Sequence, residues 1–380
     1  MGKGVAKNRK ITAMIIAFVF LIIYVLLFVK YGFLFKKASV ENARPIYREN
    51  SLYYNNLSRK NQYLYDVIKN AINNFDSFTE EIPYKYSSDE FNDVVKFIIC
   101  DNPMLFYVNY DSSVMYTNDA YTKVELKYAV DKEDAVIMRK ALENELDKIV
   151  SQVKRDSDFE TELAIHDYLV QNCAYLSDDA SENYLNNTAY GAIINRKSYC
   201  DGYALAFKEL MNRCGLFSST VCGNAKGLNH MWNLVFVDDN FYYVDVTWDD
   251  ADSDMIFHGY LNVNEAEISK SHEISYRDFL PDCEDSTDYY HRAGLYMQNA
   301  EEMNTFVNSA LRSSASSGKK YFEIMLGYEG ASADLRSAFS AAVKSINNEG
   351  KYKFSDAFRE HYCSEDKNKI NIEVYYEDAK

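Results

Sequence analysis

Three residues of the types that together perform thiol catalysis lie within about fifty residues of one another. Cys200 stands in the run Ser-Tyr-Cys-Asp-Gly-Tyr-Ala, His230 in Asn-His-Met-Trp-Asn, and Asp245 in Val-Asp-Val-Thr-Trp-Asp. A cysteine thiolate is a strong nucleophile, histidine exchanges protons near neutral pH, and a carboxylate can hold an imidazole in one tautomer. The set predicts a nucleophile, a general base and an orienting group, provided that the fold brings them together.

The residues after Cys200 predict the helix that would position the thiol. Apolar residues recur at helical spacing as far as Cys214, and Gly215 follows as a stop signal. Cys200 then lies in the first turn, where unpaired N–H groups and the positive end of the helix dipole stabilise a thiolate. A buried structural role is the commoner fate of cysteine, and Cys214, on the apolar face, fits that role better.

Two predicted strands would place the histidine and the aspartate. Residues 229–237 and 240–248 are rich in aromatic and β-branched residues and are separated by an Asp-Asp turn. In that register Asp245 lies opposite Trp232, and His230 is its diagonal neighbour on the same face, roughly 7 Å away. A three-residue loop without a bulge would put the two side chains on opposite faces.

These motifs resemble those of the transglutaminase-like superfamily, in its bacterial cell-surface branch, which has a papain-like core. The matching segments are Cys-x-Gly-Tyr-Ala from Cys200, His-x-Trp-Asn from His230, and Tyr-x-Val-Asp-Val-Thr-Trp-Asp around Asp245. Ile-His-Asp-Tyr-Leu at 165–169 and Ala-Tyr-Gly-Ala at 189–192 also look like the family. The resemblance covers roughly residues 60 to 290 and is specific, because separate motifs occur in the expected order.

The resemblance implies a thiol enzyme that acts on amide bonds. Cys200 would be the nucleophile, His230 the general base and acid, and Asp245 the third member of the triad, with a thioester intermediate. Water as second substrate gives a peptidase or amidase, and a lysine amine gives a transglutaminase. We favour hydrolysis, with cross-linking as the alternative, because a run of carboxylates is expected to hydrate the mouth of the site: Asp249, Asp250, Asp252 and Asp254.

A different class of function also stays open, since the family contains members that bind without catalysing. An inert surface-binding module would keep the fold and need no thiol at Cys200. Further side chains are expected to line the site in either case: Tyr199, Trp232 and Trp248. The other histidines have no spacing argument for catalysis, and we expect His166 to pack within a helix.

Charge and cysteine content exclude several partners. From Glu41 onward the chain has 34 Lys/Arg against 57 Asp/Glu, a net charge of −23. Such a charge is unfavourable for nucleic-acid binding. Seven cysteines without Cys-x-x-Cys spacing form neither a zinc framework nor a dense disulfide scaffold, and the acidic run lacks the spacing of a calcium-binding loop. We expect no cofactor and no metal, a peptide or protein substrate, and have no indication of an oligomeric state.

The N-terminus predicts a membrane anchor. Residues 11–29 are nineteen uncharged residues, about 28 Å long as a helix, close to the thickness of a bilayer core of roughly 30 Å. Basic residues precede the run, which favours a cytoplasmic N-terminus and a body outside the cell. The competing interpretation is a cleaved signal peptide, but the apolar run is longer than is typical of one. We therefore expect a single-pass protein of the cell membrane.

The expected fold class is α+β, with the cysteine helix packed on an antiparallel sheet. A small α/β domain would follow the core, and an α+β region would precede it. The predicted divisions are a cytoplasmic tail, a transmembrane helix, a linker, an N-terminal α+β region, a transglutaminase-like core and a C-terminal α/β domain: residues 1–10, 11–35, 36–60, 61–155, 156–290 and 291–380.

Overall fold

The computed structural model describes residues 21–23, 51–176, 183–250 and 255–378. The chain divides into two compact units, of which the first holds the described residues up to Ile99 together with Val108–Lys132, and the second holds the rest. Within these described ranges no helix is long and apolar enough to cross a membrane.

Two of the predicted N-terminal divisions fall largely on residues outside that description. The predicted cytoplasmic tail, 1–10, lies outside the described residues, and so does the predicted membrane segment, 11–35, except for three helical residues at 21–23. The predicted linker, 36–60, is described from residue 51 onward, and this part is mostly helical rather than an extended tether.

The first unit contains three helices and a short β-hairpin. Helix α2 begins where the Ser58 side chain accepts the N–H group of Asn61, at 3.2 Å. Each strand of the hairpin is only four residues long. The bounds are α1 Leu52–Asn56, α2 Arg59–Asn74, α3 Ser88–Asp101 (whose last two residues belong to the second unit), β1 Val114–Thr117 and β2 Thr122–Glu125.

The second unit contains the elements that carry the predicted site residues. A four-stranded antiparallel sheet has the order β7-β6-β5-β8, and helix α6 packs against β5 and β6. Its elements are α4 Lys132–Val153, α5 Asp158–Asn172, β3 Ala174–Tyr175, β4 Lys197–Ser198, α6 Cys200–Cys214, β5 Phe217–Ala225, β6 Leu228–Val237, β7 Asn240–Val244, α7 Val246–Asp249, α8 Glu265–Ile268 and β8 His272–Ile274. A cysteine helix on an antiparallel sheet is the predicted arrangement.

The cysteine helix has the bounds that the sequence pattern predicts. Gly215 ends α6 in the left-handed region, with φ of 89°, a conformation that side chains with a Cβ rarely adopt. The apolar face of the helix includes Phe207, Leu210 and Met211, all buried. Burial of this face against the sheet fixes the position of the first turn.

The predicted hairpin is confirmed at its turn and wrong at its far end. Val237 pairs with Asn240, so the loop has two residues, Asp238 and Asp239, both with positive φ. Strand β7 ends at Val244, however, and the next residues form the one-turn helix α7 instead of continuing the predicted strand to 248. The hydrogen bonds of Asp245, which caps α7, replace the strand pairing.

The end of the chain forms a second sheet with two helices. The sheet has the order β11-β12-β10-β9, and its apolar side packs with α10 and α11 into one hydrophobic cluster. Its elements are α9 Tyr289–Arg292, β9 Tyr296–Met297, α10 Ala300–Ser317, β10 Tyr321–Leu326, α11 Ala331–Glu349, β11 Tyr352–Tyr362 and β12 Lys369–Asp378. The predicted core, 156–290, and the predicted C-terminal domain, 291–380, both lie in the second unit.

Candidate active site

Cys200 is the first residue of α6. The helix is preceded by Tyr199, whose backbone is extended and whose side chain makes no capping hydrogen bond. The Cys200 side chain is half-buried, and its thiol donates to Asp201 Oδ1 at 3.7 Å. The thiol therefore sits at the positive end of a fifteen-residue helix and is open to solvent on one side.

Close packing accounts for the glycine of the cysteine motif, Gly202. A Cβ atom added at Gly202 would lie 1.9 Å from Ser198 Oγ and 2.7 Å from the backbone oxygen of Thr188. Both distances are far below a normal contact, and the Thr188 oxygen belongs to the backbone. A side chain at Gly202 would displace the segment that leads into Cys200.

His230 and Asp245 are in direct contact. His230 lies in β6, and its Nε2 is 2.6 Å from Asp245 Oδ2. Asp245 is the residue before α7, and its Oδ1 accepts the N–H groups of Thr247 and Trp248 at 3.0 and 3.2 Å. One carboxylate oxygen thus caps a helix while the other holds the imidazole. Asp245 lies one residue beyond the end of β7 rather than within a strand, and its side chain reaches His230 from there.

The electrostatics of the pair favour a charged histidine. Burial alone would lower the pKa of His230, but the Asp245 carboxylate outweighs it through charge and a hydrogen bond and raises that pKa to about 10. A hydrogen bond with the Cys200 side chain acts in the same direction. Burial opposes ionisation of Asp245, yet the charge of His230 holds the pKa of this carboxyl well below its ordinary value.

The orientation of the ring assigns a function to each nitrogen. Because Nε2–H of His230 is donated to Asp245, Nδ1 is the nitrogen left for the Cys200 thiol. Such a ring can take the thiol proton and hold it beside the sulfur as an imidazolium. The arrangement can therefore accept the proton of the nucleophile and return it to a leaving group.

The three residues expected to line the site differ in exposure. The Trp232 ring stacks on His230 with centroids 5.9 Å apart, but it is only 1% exposed and cannot form a surface wall. Trp248 is half-buried, with its ring 6.0 Å from that of His230, and Tyr199 is also half-buried. Aromatic rings on two sides of an imidazolium stabilise its charge.

His272 is a further member of the site that sequence reasoning missed. Its Nε2 is 3.0 Å from Asp245 Oδ2, the same oxygen that binds His230, and its Nδ1 is 2.8 Å from Ser271 Oγ. Strand β8 brings it there by pairing with β5, where His272 lies opposite Ala225. No local sequence signal identifies it, since the contact depends on pairing between segments nearly fifty residues apart.

The acidic run after Trp248 does not form the predicted solvated loop at its beginning. Asp249 is fully buried and accepts the Tyr260 N–H group at 3.0 Å, and Asp250 is half-buried and accepts the Tyr203 hydroxyl at 2.6 Å. These carboxylates are turned away from solvent because each accepts a hydrogen bond from another residue of the protein. Two further members of the run lie outside the described residues: Asp252 and Asp254.

One protein family matches part of this chain. The sequence profile of the transglutaminase-like superfamily matches residues 147–246, which include Cys200, His230 and Asp245. This part of the chain belongs to that superfamily. The match ends one residue after Asp245, and His272 lies beyond it. A comparison with curated protein sequences found no match.

Solved structures similar to this chain include one described as a TGase, with 17% identity over 43% of this chain and 48% of that chain, and a TM-score of 0.27. A putative cysteine protease from Cytophaga hutchinsonii shares 12% identity over 36% of this chain and 61% of that one, at 0.25. The periplasmic domain of TgpA from Pseudomonas aeruginosa, bound to ethylmercury, shares 12% over 35% and 56%, at 0.24. The chain thus spans about half to three fifths of each of these structures.

Proposed function

We propose that this protein is a thiol enzyme that hydrolyses amide bonds of peptides or proteins. Cys200 is its nucleophile, His230 its general acid and base, and Asp245 the carboxylate that orients the histidine. The observation that carries the proposal is the 2.6 Å contact between His230 and Asp245, made by a ring that also interacts with the Cys200 side chain. The superfamily of residues 147–246 supports the same chemistry.

The proposed reaction proceeds in two halves. The Cys200 thiolate attacks the amide carbonyl, and the carbon–nitrogen bond breaks as the His230 imidazolium gives its proton to the departing amine. A thioester and a free amine result. His230, now neutral, takes a proton from water, which attacks the thioester and releases the acid and the thiol. The backbone N–H group of Cys200, at the start of α6, is a proposed donor to the oxyanion.

Hydrolysis is favoured over cross-linking because the thiol is accessible. A transglutaminase must let an amine compete with water at roughly 55 M, which requires a water-poor channel around the acyl-enzyme. Cys200 is half-buried rather than enclosed, and this supports water as the second substrate. Asp249 is buried, and Asp250 is half-buried and bonded to the Tyr203 hydroxyl. These positions remove part of the sequence argument about a hydrated acidic mouth, so the preference for hydrolysis rests on the thiol.

We further propose that residues 11–35 anchor the protein in the cell membrane with its body outside. The support is the apolar run and the basic residues before it. Protease added to intact cells should digest the body without lysis. Digestion only after lysis would mean that the orientation is reversed.

A product assay tests the reaction. The purified full chain is incubated with a peptide library and a dansylated amine, beside two variants: Cys200→Ser, and Cys363→Ser as a matched control at the other half-buried thiol. We expect cleavage by the wild type and by Cys363→Ser, and none by Cys200→Ser. Amine incorporation outpacing cleavage would identify a transglutaminase. Neither product, together with an unreactive Cys200, would identify an inert binding module.

A further inference from the structure

A second cluster of histidines and carboxylates lies outside the proposed catalytic set. His166 Nδ1 is 3.1 Å from Asp167 Oδ1, and His258 Nε2 is 2.9 Å from the same oxygen. The ligand atoms of these three side chains all lie within 4.8 Å of one another, and both histidines are buried. Two ring nitrogens from distant segments of the chain therefore converge on one carboxylate oxygen.

Each histidine is held from behind by another carboxylate. His166 Nε2 is 3.2 Å from Asp249 Oδ2, and His258 Nδ1 is 2.6 Å from Glu323 Oε2. A ring that donates one N–H group to a carboxylate can present a lone pair at its other nitrogen. This outer carboxylate is the usual partner of a metal-binding histidine, because it fixes the tautomer and the direction of the ring.

The convergence can be satisfied by protons or by a cation. Each ring nitrogen can donate an N–H group to Asp167, or it can present a lone pair to a metal ion held beside that carboxylate. Ligands at about 2.0–2.2 Å from a tetrahedral zinc ion lie about 3.3–3.6 Å apart. The distances of 3.1 and 2.9 Å are a few tenths of an ångström shorter, so both nitrogens need to move only slightly away from the carboxylate oxygen to admit the ion. The two ring centres lie 5.1 Å apart, close enough for one ion to bind a nitrogen of each ring.

We propose that His166, His258 and Asp167 bind one divalent transition-metal ion such as Zn²⁺. Two imidazole nitrogens and one carboxylate oxygen are a common ligand set for such ions. The Asp167 side chain is 31% exposed, which gives the ion access and leaves room for water as a further ligand. The outer carboxylates come from opposite parts of the second unit, Asp249 after α7 and Glu323 in β10, so the ion joins the catalytic core to the C-terminal sheet.

Zinc titration of the full chain tests the site. Chelator-stripped protein is titrated with Zn²⁺ by calorimetry, and we expect one ion per chain. Asp167→Asn and His258→Gln should abolish binding. Glu323→Gln keeps all three ligands and should weaken it by about 10- to 100-fold. The matched control is His272→Gln, which alters the other cluster of two histidines and an aspartate and should leave zinc binding unchanged.

Two results would overturn the proposal. Absence of binding to the wild type would mean that the rings hold protons instead of a metal. Binding that is lost in His272→Gln and kept in Asp167→Asn would place the ion at the catalytic histidine. Circular dichroism checks that each variant folds, and the thermal midpoint gives a second readout. Zinc should raise the midpoint of the wild type and not that of Asp167→Asn, whose altered side chain is partly exposed.

Discussion

The substitution Asp245→Asn tests whether the carboxylate controls the charge of His230. Asp245 accepts hydrogen bonds on both oxygens: Oδ2 from His230 and His272, and Oδ1 from the N–H groups of Thr247 and Trp248. Asparagine has almost the same shape but only one acceptor oxygen and an NH₂ group that donates. Either the histidine rings or the backbone N–H groups must therefore lose their acceptor oxygen.

The imidazole side is expected to change. Backbone N–H groups cannot become acceptors, whereas a neutral imidazole can accept on one nitrogen, so the amide oxygen should stay on the cap of α7. The NH₂ group then donates to His230 Nε2, which forces the ring proton onto Nδ1, facing Cys200. Without the carboxylate, burial is left to lower the pKa of His230, which Asp245 otherwise raises to about 10. The ring is then neutral at pH 7, and because its one proton is on Nδ1, that nitrogen cannot accept a proton from the thiol.

Two magnitudes follow from this change. The thiolate is the form of cysteine that is alkylated, and loss of a positioned proton acceptor usually costs about 10²–10⁴-fold in rate. Alkylation of Cys200 should therefore slow by about 100-fold or more. The free energy of unfolding should fall by about 3–5 kcal/mol, the usual loss when one partner of a buried ion pair is removed.

The assay is the second-order rate of iodoacetamide modification at pH 7, with the adduct on Cys200 located by mass spectrometry. Urea unfolding of the same samples gives stability and shows that each variant is folded. Asp250→Asn is the control, because that carboxylate lies close in sequence but accepts from the Tyr203 hydroxyl. We expect it to react at the wild-type rate. A folded Asp245→Asn that is alkylated as fast as the wild type would refute the ion-pair reasoning.

Three further predictions concern the same site. His272→Asn removes one hydrogen bond from Asp245 and should lower the free energy of unfolding in urea by about 1.5–3 kcal/mol. The alkylation rate of Cys200 should fall by less than ten-fold. A fall in rate as large as that of Asp245→Asn would exclude a positioning role for His272. The stabilisation that the wild type gains over His230→Gln should be full below about pH 6.5 and vanish by about pH 10, because the folded-state pKa of His230 is raised to about 10; a difference that grows between pH 6 and pH 10 in urea unfolding would contradict this sign. Gly202→Ala should lower the free energy of unfolding by about 3 kcal/mol, because the new Cβ meets backbone, and a variant within about 0.5 kcal/mol of the wild type would show that the segment moves freely.

Local signals were sufficient to predict the elements that hold Cys200 and His230. Helix α6 follows from apolar periodicity and from Gly215, whose positive φ ends it. The β6–β7 turn follows from two aspartates, a residue type that tolerates positive φ in two-residue hairpin loops. In both cases the residues that decide the structure are neighbours in sequence.

Asp245 shows where local reasoning fails. The run Tyr-Tyr-Val-Asp-Val-Thr-Trp has strong strand propensity, and it predicted a strand through residue 248. The aspartate side chain instead captures two N–H groups ahead of it and starts α7, an outcome that short polar side chains commonly favour. The positions of His272 and Asp249 could not be predicted from the sequence, because their partners come from distant segments. An acidic run without such partners would be exposed to solvent.

The same four-residue helix connects the two histidine clusters. Asp245 caps the start of α7 and binds His230, and Asp249 is the last residue of that helix and binds His166. The Asp249 N–H group also donates to the Asp245 backbone oxygen at 3.3 Å. Both carboxylates are fully buried, so neither can turn to solvent without losing its partners. A change at the proposed metal ligands that shifts Asp249 would therefore also shift Asp245, through one turn of helix. Asp245 is the carboxylate that orients His230. The metal ligands would then influence the catalytic site, although none of them contacts Cys200 in the reaction proposed here.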